Sequence, residues 1–288
     1  MSVLVRFWGV RGSIPVPGAR TVRYGGNTAC VEVRRDGRVL ICDSGTGIRE
    51  LGLLLMKEAQ GKPLDLDLFI THTHWDHLQG WPFFVPAYIP KNTVRIHSAQ
   101  GAGADFKEIF RRQMGQNYFP VELGDMAAKI DFHKVTKPFD AGGVPVKTLY
   151  TNHPGVDIAY RFEFPEGSVV YLTDHECHRA LGDDRDFFTG QDKLVADFCS
   201  GADLLISDAQ YDDEDYKTKR GWGHSRWRDA VELAAAAKVR RLALFHFEPL
   251  KSDDEIDAVV EKARAHARSL GAGFECFGAR EGQEIRIG

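Results

Sequence analysis

Cysteine is scarce, and no pattern would use it as a ligand. Cys30, Cys42, Cys177, Cys199 and Cys276 are odd in number, far apart and without a CxxC pair among 288 residues. This excludes a disulfide framework and predicts reduced thiols in a cytoplasmic protein, several inside apolar strands. No apolar run of about 18 residues occurs, which excludes a membrane-spanning helix and a membrane partner of that kind. The opening MSVLVRFWGVRG is strand-like and has no cleavable signal pattern. Charge of one sign is not in excess either, since 37 basic against 41 acidic side chains leave a net charge of −4. A long nucleic acid is therefore disfavoured as partner, because polynucleotides are gripped by a basic surplus. Low-complexity linkers and 20–50-residue repeats are lacking, so the chain reads as one domain over residues 1–288.

What is present is the make-up of a globular protein with a substantial core: 43% hydrophobic and 27% charged residues. Short apolar runs alternate with longer amphipathic ones, which predicts a layered α/β fold. Strands are expected over 3–10, 30–33, 39–42, 66–71, 94–97, 146–150, 158–164, 168–173, 204–207, 242–245 and 285–287. Helices are expected over 47–59, 104–114, 192–199, 226–237 and 254–270. In the fourth helix Trp227, Ala230, Val231, Ala234 and Ala237 recur at spacings of three and four, a core-facing stripe. Residues 79–137 read as an insertion rich in aromatics, among them Trp81, Phe83, Phe84, Tyr88, Tyr118 and Phe119. It would form either a small core of its own or a lid with rings against a planar ligand.

The densest chemistry lies in Thr71-His72-Thr73-His74-Trp75-Asp76-His77, directly after the apolar LDLFI. His72 and His74 are two apart and project to one side of extended backbone. Asp76 and His77 follow in a turn or first helical turn and address a neighbouring point. Four ligands in six residues crowd a single cation, so two adjacent cations are the natural occupants. Further ligands would come from other strand ends: His153 after VKTLYTN, Asp174 after SVVYLT and His246 after LALF. Imidazole with carboxylate and no thiolate suits Zn²⁺, with Mn²⁺ or Fe as the other candidates. His97, His133, His175, His178 and His266 read as ordinary structural histidines.

The HxHxDH string with its later His, Asp and His resembles the metallo-β-lactamase superfamily, over about residues 7–250. The resemblance implies a four-layer αβ/βα sandwich with a dinuclear metal site at one edge of the sheets. It implies that His72, His74 and His153 hold one divalent ion, that Asp76, His77 and His246 hold the other, and that Asp174 bridges them. Asp43 in LICDSGTG matches the family's strand-end Asp-x-Gly and would support the metal-site loop, or else only cap a turn. Ser207-Asp208-Ala209-Gln210-Tyr211, followed by Gly223-His224-Ser225 and a helix, looks like the ribonuclease Z and phosphodiesterase branch. Asp208 would then be a second supporting carboxylate. Two departures stand out: Arg226 occupies a position where that branch often has threonine, and no long tRNA-gripping arm is recognisable.

The implied activity is a metal-dependent hydrolase cleaving a small phosphodiester, a cyclic nucleotide first among candidates. Catalytic roles fall to Asp76 or Asp174, as proton acceptor, and to His224, as stabiliser or acid. Ser225 is expected to cap the following helix, whose N-terminus with His224 would receive a phosphate. Arg11, Asn27 and Thr28 are either substrate contacts or turn residues. A thioester or lactone hydrolase, a flavodiiron-like redox protein and a non-catalytic metal-dependent sensor remain as other readings. The resemblance is also compatible with a homodimer.

Overall fold

In the computed structural model Val3, Val5 and Phe7 are buried while Leu4, Arg6 and Trp8 are half-exposed, the period-2 pattern of a strand with one covered face. The structure describes residues 2–99, 105–182 and 190–288. The first six strands are β1 (Val3–Gly9), β2 (Cys30–Arg35), β3 (Arg38–Cys42), β4 (Asp65–Phe69), β5 (Thr93–Ser98) and β6 (Lys129–Lys134). The next seven are β7 (Phe139–Asp140), β8 (Pro145–Tyr150), β9 (Ile158–Phe164), β10 (Gly167–Leu172), β11 (Leu204–Asp208), β12 (Arg241–Phe245) and β13 (Glu275–Gly278). A last strand, β14 (Glu284–Ile287), returns to β1, giving two seven-stranded sheets ordered β14-β1-β2-β3-β4-β5-β6 and β13-β12-β11-β10-β9-β8-β7.

Helices cover both outer faces. They are α1 (Ile48–Ala59), α2 (Trp75–Leu78), α3 (Phe106–Gln113), α4 (Gly190–Cys199), α5 (Asp213–Lys219), α6 (Trp227–Ala236) and α7 (Asp253–Ser269). One apolar cluster runs between the sheets and on beneath α4, α6 and α7, with Tyr160, Tyr171, Phe162 and Phe245 at its centre. A second, built on Leu68, Ile96, Trp81, Phe84 and Phe110, fills the space between the first sheet and α1 and α3. This is the expected αβ/βα sandwich. The parallel strands β3, β4, β5 and β6 of one sheet and β10, β11, β12 and β13 of the other collect their C-terminal ends, where open α/β sheets bind ligands. All five cysteines are buried and free. No described helix is long and apolar enough to cross a membrane.

Four expectations need correction. Residues 79–137 are not an insertion on the fold, because they supply β5 and β6 to the first sheet and Trp81, Phe84 and Phe110 to its core. Phe83 and Tyr118 do face solvent; residues 100–104 of the segment, including the expected helix start at Ala104, lie outside the described residues. Strands β6, β7 and β13 were not expected: KIDFHK is an edge strand with no fully buried residue, and the other two have two and four residues. Helix α5, DEDYKTK, has no apolar period and is held instead by the Asp212 capping box with Asp215. Finally, Ser225 does not cap α6; Arg226 takes that position, and the Ser225 hydroxyl donates to the His175 carbonyl at 2.5 Å.

Arg11, Asn27 and Thr28 act as joints. The fully buried Arg11 guanidinium donates to the carbonyls of Gly25 and Lys251, while Asn27 bonds Glu281 and Thr28 exchanges hydrogen bonds with Thr46. If 79–137 is part of the core, Trp81→Ala should cost about 3–5 kcal/mol. Thermal unfolding would register this as a melting point lower by roughly 10 °C. An unchanged melting point would return the segment to the status of a detachable lid.

Candidate metal centre

Strand ends bring the candidate ligands to one place. His72, His74, Asp76 and His77 follow β4, His153 follows β8, Asp174 follows β10 and His246 follows β12. Asp43, Asp174 and His246 leave their strands with φ of 61°, 52° and 60°, the left-handed region that non-glycine residues seldom adopt. Such backbone persists where surrounding contacts enforce it and is concentrated at functional sites. Gly12 makes room for the result, since a Cβ there would lie 2.5 Å from the His246 ring.

Two donor groups share Asp174. His72, His74, His153 and Asp174 form one, Asp76, His77, Asp174 and His246 the other, each with ligand atoms within 4.8 Å of one another. His153 Nε2 is 3.0 Å from His74 Nδ1, and His77 Nε2 is 3.2 Å from His246 Nε2 and 3.3 Å from Asp174 Oδ1. His72 Nε2 is buried without a hydrogen-bond partner, 3.5 Å from Asp174 Oδ2. An orphaned buried nitrogen aimed at a carboxylate is costly unless a cation takes it up. Tetrahedral ligands at 2.0–2.1 Å from a metal are separated by about 3.3 Å, close to these spacings. The donor chemistry and its packing therefore fit two divalent ions. A further grouping, Asp174, Asp208, His224 and His246, overlaps the second.

The inward nitrogens of His72, His77, His153 and His246 are aimed by a contact on the far side of each ring. His77 Nδ1 meets Asp43 Oδ2 at 2.8 Å, His153 Nδ1 the Gly223 carbonyl at 2.9 Å, and His246 Nδ1 Gln210 Oε1 at 3.0 Å. His72 Nδ1 lies 3.1 Å from Thr71 Oγ1 and 3.4 Å from Asp157 Oδ1. An outer acceptor of this kind sets tautomer and ring orientation. Asp43 also takes the Thr71 amide and the Tyr171 hydroxyl, so it ties β3, β4 and β10 together. Asp76 Oδ2 receives the Ser13 amide at 2.7 Å. Asp157, Gln210 and Ser13 were not assigned roles from sequence; Gln210 lay inside a recognised string, whereas Asp157 and Ser13 carry no pattern that marks them.

Electrostatics separates the groups. Burial, with neighbouring imidazoles, pulls His72, His74 and His153 down to about 4, so all three are neutral and able to ligate at pH 7. Burial opposes charge on His77 as well, yet Asp174, Asp76 and Asp43 push it well above its ordinary value. Burial would raise Asp174, but His246, His77 and His72 hold it well below the usual carboxylate range. His224 stands beside the donors: its Nδ1 is 2.8 Å from Asp208 Oδ2 and its ring stacks on His246 at 5.1 Å. Burial disfavours the imidazolium, and Asp208 followed by Asp174 and Asp76 overcomes this and lifts His224 to about 9. At the α6 N-terminus the Arg226 amide donates to Asp229 and the Trp227 amide to the Tyr211 carbonyl, so these two are not free to receive a phosphate. Ser225 is buried and its hydroxyl is engaged with the His175 carbonyl.

Comparison with known proteins agrees with this fold. Residues 38–247 match the beta-lactamase superfamily domain. The chain is 26% identical to the ribonuclease Z of Haloferax volcanii over 330 aligned positions, covering 100% of this chain and 96% of that protein. Because the alignment is longer than the 288 residues here, that relative carries segments without counterpart in this chain. The metallo-beta-lactamase fold protein YhfI of Bacillus subtilis superposes with a TM-score of 0.68 at 19% identity, covering 99% of this chain and 100% of that one. A diphosphatase of the PhnP family gives 0.68 at 18%, covering 99% and 98%. Similarity to proteins named ribonuclease Z runs against the expectation that a long nucleic acid is disfavoured.

Zn²⁺-loaded protein should retain two equivalents after dialysis. His153→Ala should lose one, and Asp174→Asn should weaken both, which elemental analysis of the dialysed variants checks. Acid should destabilise the metal-free form. Unfolded histidine titrates near 6.5. His72, His74, His153 and His175 reach only about 4 when folded, so the unfolded chain binds more protons between those values and stability falls with pH there. Asp157, raised to about 8 by burial and Asp174, and Glu281, raised by burial, act in the opposite sense, against these four imidazoles together with His97 and His266, which burial also lowers. A melting temperature independent of pH across this window would contradict the neutral-imidazole assignment.

Proposed function

The chain belongs to the beta-lactamase superfamily, and on that premise we propose that it is a metal-dependent hydrolase of small phosphodiesters, with cyclic nucleotides the first class to examine. His72, His74 and His153 hold one ion, Asp76, His77 and His246 the other, and Asp174 faces both; Zn²⁺ is the first metal to load. When bound, such a pair supplies Lewis acidity, bringing the pKa of water towards neutrality and polarising a phosphoryl oxygen.

The observation that carries the reading is His224. It is an imidazolium at neutral pH, buried beside the donors yet with Nδ1 committed to Asp208. That leaves Nε2 as the atom that neutralises charge developing at phosphorus and protonates the departing alkoxide. Asp76, fixed by the Ser13 amide, is the carboxylate that receives the proton of the attacking water. A thioester or lactone hydrolase would use the same donors and leave His224 without a task.

Small substrates are favoured by the net charge of −4 and by the segments of the Haloferax relative that have no counterpart here. RNA is the second reading, supported by similarity to proteins named ribonuclease Z along the whole chain. Turnover of bis(p-nitrophenyl) phosphate, cyclic nucleotides and an RNA transcript by one metal-loaded preparation ranks them.

His224→Ala should lower kcat on the diester by about 10²–10⁴-fold while two metal equivalents remain. Equal turnover in that variant would remove the diesterase reading. The active form carries a protonated His224, so activity should fall as pH rises through about 9. Asp208→Asn withdraws the largest stabilising charge, and the alkaline limb of the kcat profile should then move towards neutrality.

A further inference from the structure

Glu176 is a buried carboxylate that none of the roles above uses. It sits in the loop after β10, two residues beyond Asp174, and is 2% exposed. Among the described residues no lysine, arginine or histidine forms an ion pair with it. Its partners are three neutral donors, one on α5 and two on the short loop that follows it. Oε1 accepts the Tyr216 hydroxyl at 2.5 Å and the Gly221 amide at 2.8 Å, and Oε2 accepts the Gly223 amide at 2.8 Å. A buried carboxylate satisfied this way is expensive to retain as scaffolding alone, since an apolar side chain would avoid the desolvation.

What the loop carries explains the arrangement. Gly221 and Gly223 have φ of 84° and 89°, which turn their amides towards Glu176. A Cβ on Gly223 would lie 2.3 Å from His153 Nδ1, so the backbone passes against that ring by construction. The Gly223 carbonyl then accepts a hydrogen bond from His153 Nδ1, which turns Nε2 towards His74 and Asp174. The next residue is His224, whose ring lies 5.1 Å from that of His153. Asn152, adjacent to His153, is tied to the same support: its side-chain amide donates to the Glu176 carbonyl, and its carbonyl accepts the Glu176 amide.

We propose that Glu176 is a positioning residue that clamps the Gly221–His224 loop and thereby sets, together, the orientation of His153 towards a metal and of His224 towards substrate. Without the clamp the Gly223 carbonyl is free to turn away, and one displacement disturbs both rings. Outer contacts of this kind change metal affinity or activity by about 10–100-fold. The kinetic part rests on the diesterase reading; the metal-binding part does not.

The test uses the full chain with Glu176→Gln, and Tyr216→Phe as the milder variant, titrated with Co²⁺ and followed by visible absorption. Glu176→Gln should weaken one of two Co²⁺ equivalents by about 10–100-fold and alter the spectrum of that site, leaving the other unchanged. On bis(p-nitrophenyl) phosphate with saturating metal, kcat should drop by a similar factor, with KM within about twofold. Adding His224→Ala to it should cost much less than His224→Ala costs alone, because both act through one ring. A variant that melts lower but binds both Co²⁺ ions and turns over as the parent does, when held below its melting point, would overturn the assignment. Should Glu176→Gln fail to fold, Tyr216→Phe decides by the same two readouts. If the parent has no diesterase activity, the functional reading fails while the cobalt titration still decides the role of Glu176.

Discussion

The structure turns on one electrostatic constraint: five imidazoles and two carboxylates share a space in which ligand nitrogens approach one another to 3.0–3.2 Å. Rings so close can all present a nitrogen to one point only if contacts outside the cluster turn them there. The surrounding fold supplies those outer contacts. Asp43 reaches His77, Gln210 reaches His246, the Gly223 carbonyl reaches His153, and Thr71 with Asp157 flanks His72. These aiming groups come from both sheets, so the packing of the sandwich is also what orients the donors.

Backbone conformation follows from the same demand. Asp43, Asp174 and His246 each bend at positive φ immediately beyond a buried strand, where a rigid sheet can hold a local cost of order 1–3 kcal/mol. Gly12 and Gly223 yield space to the His246 and His153 rings. His224 differs from His72, His74 and His153 because Asp208 holds its outer nitrogen and lifts it to about 9, whereas burial pulls those three down to about 4. Burial is common to all four, and the adjacent carboxylate makes the difference.

Much of the fold was legible as period and punctuation. The buried strands announced themselves as apolar runs, and α1, α6 and α7 as amphipathic repeats. Elements were missed where packing, rather than pattern, stabilises them. Strand β6 reads as polar because it closes a sheet edge, and α5 depends on its capping box. Residues 79–137 looked like an addition because their aromatics are separated along the chain. Only the packing of Trp81, Phe84 and Phe110 into one cluster with α1 residues shows them as one core.

Chain order alone determined which residues compete for cations. HxHxDH places four donors within six positions, and ligand types beyond apolar runs mark the strand ends that must converge. Which groups would aim those donors was decided by tertiary structure, because Asp157, Gln210, Glu176 and the Gly223 carbonyl act across strand ends and loops distant in sequence. The protonation of His224 was decided there as well, by its distance from Asp208 and its burial. So was the engagement of Ser225, whose hydroxyl looks free in sequence but donates to His175 in the folded protein. Ligand identity is a local property of residue type and strand register, whereas orientation and charge depend on neighbours that only the packed sheets bring together.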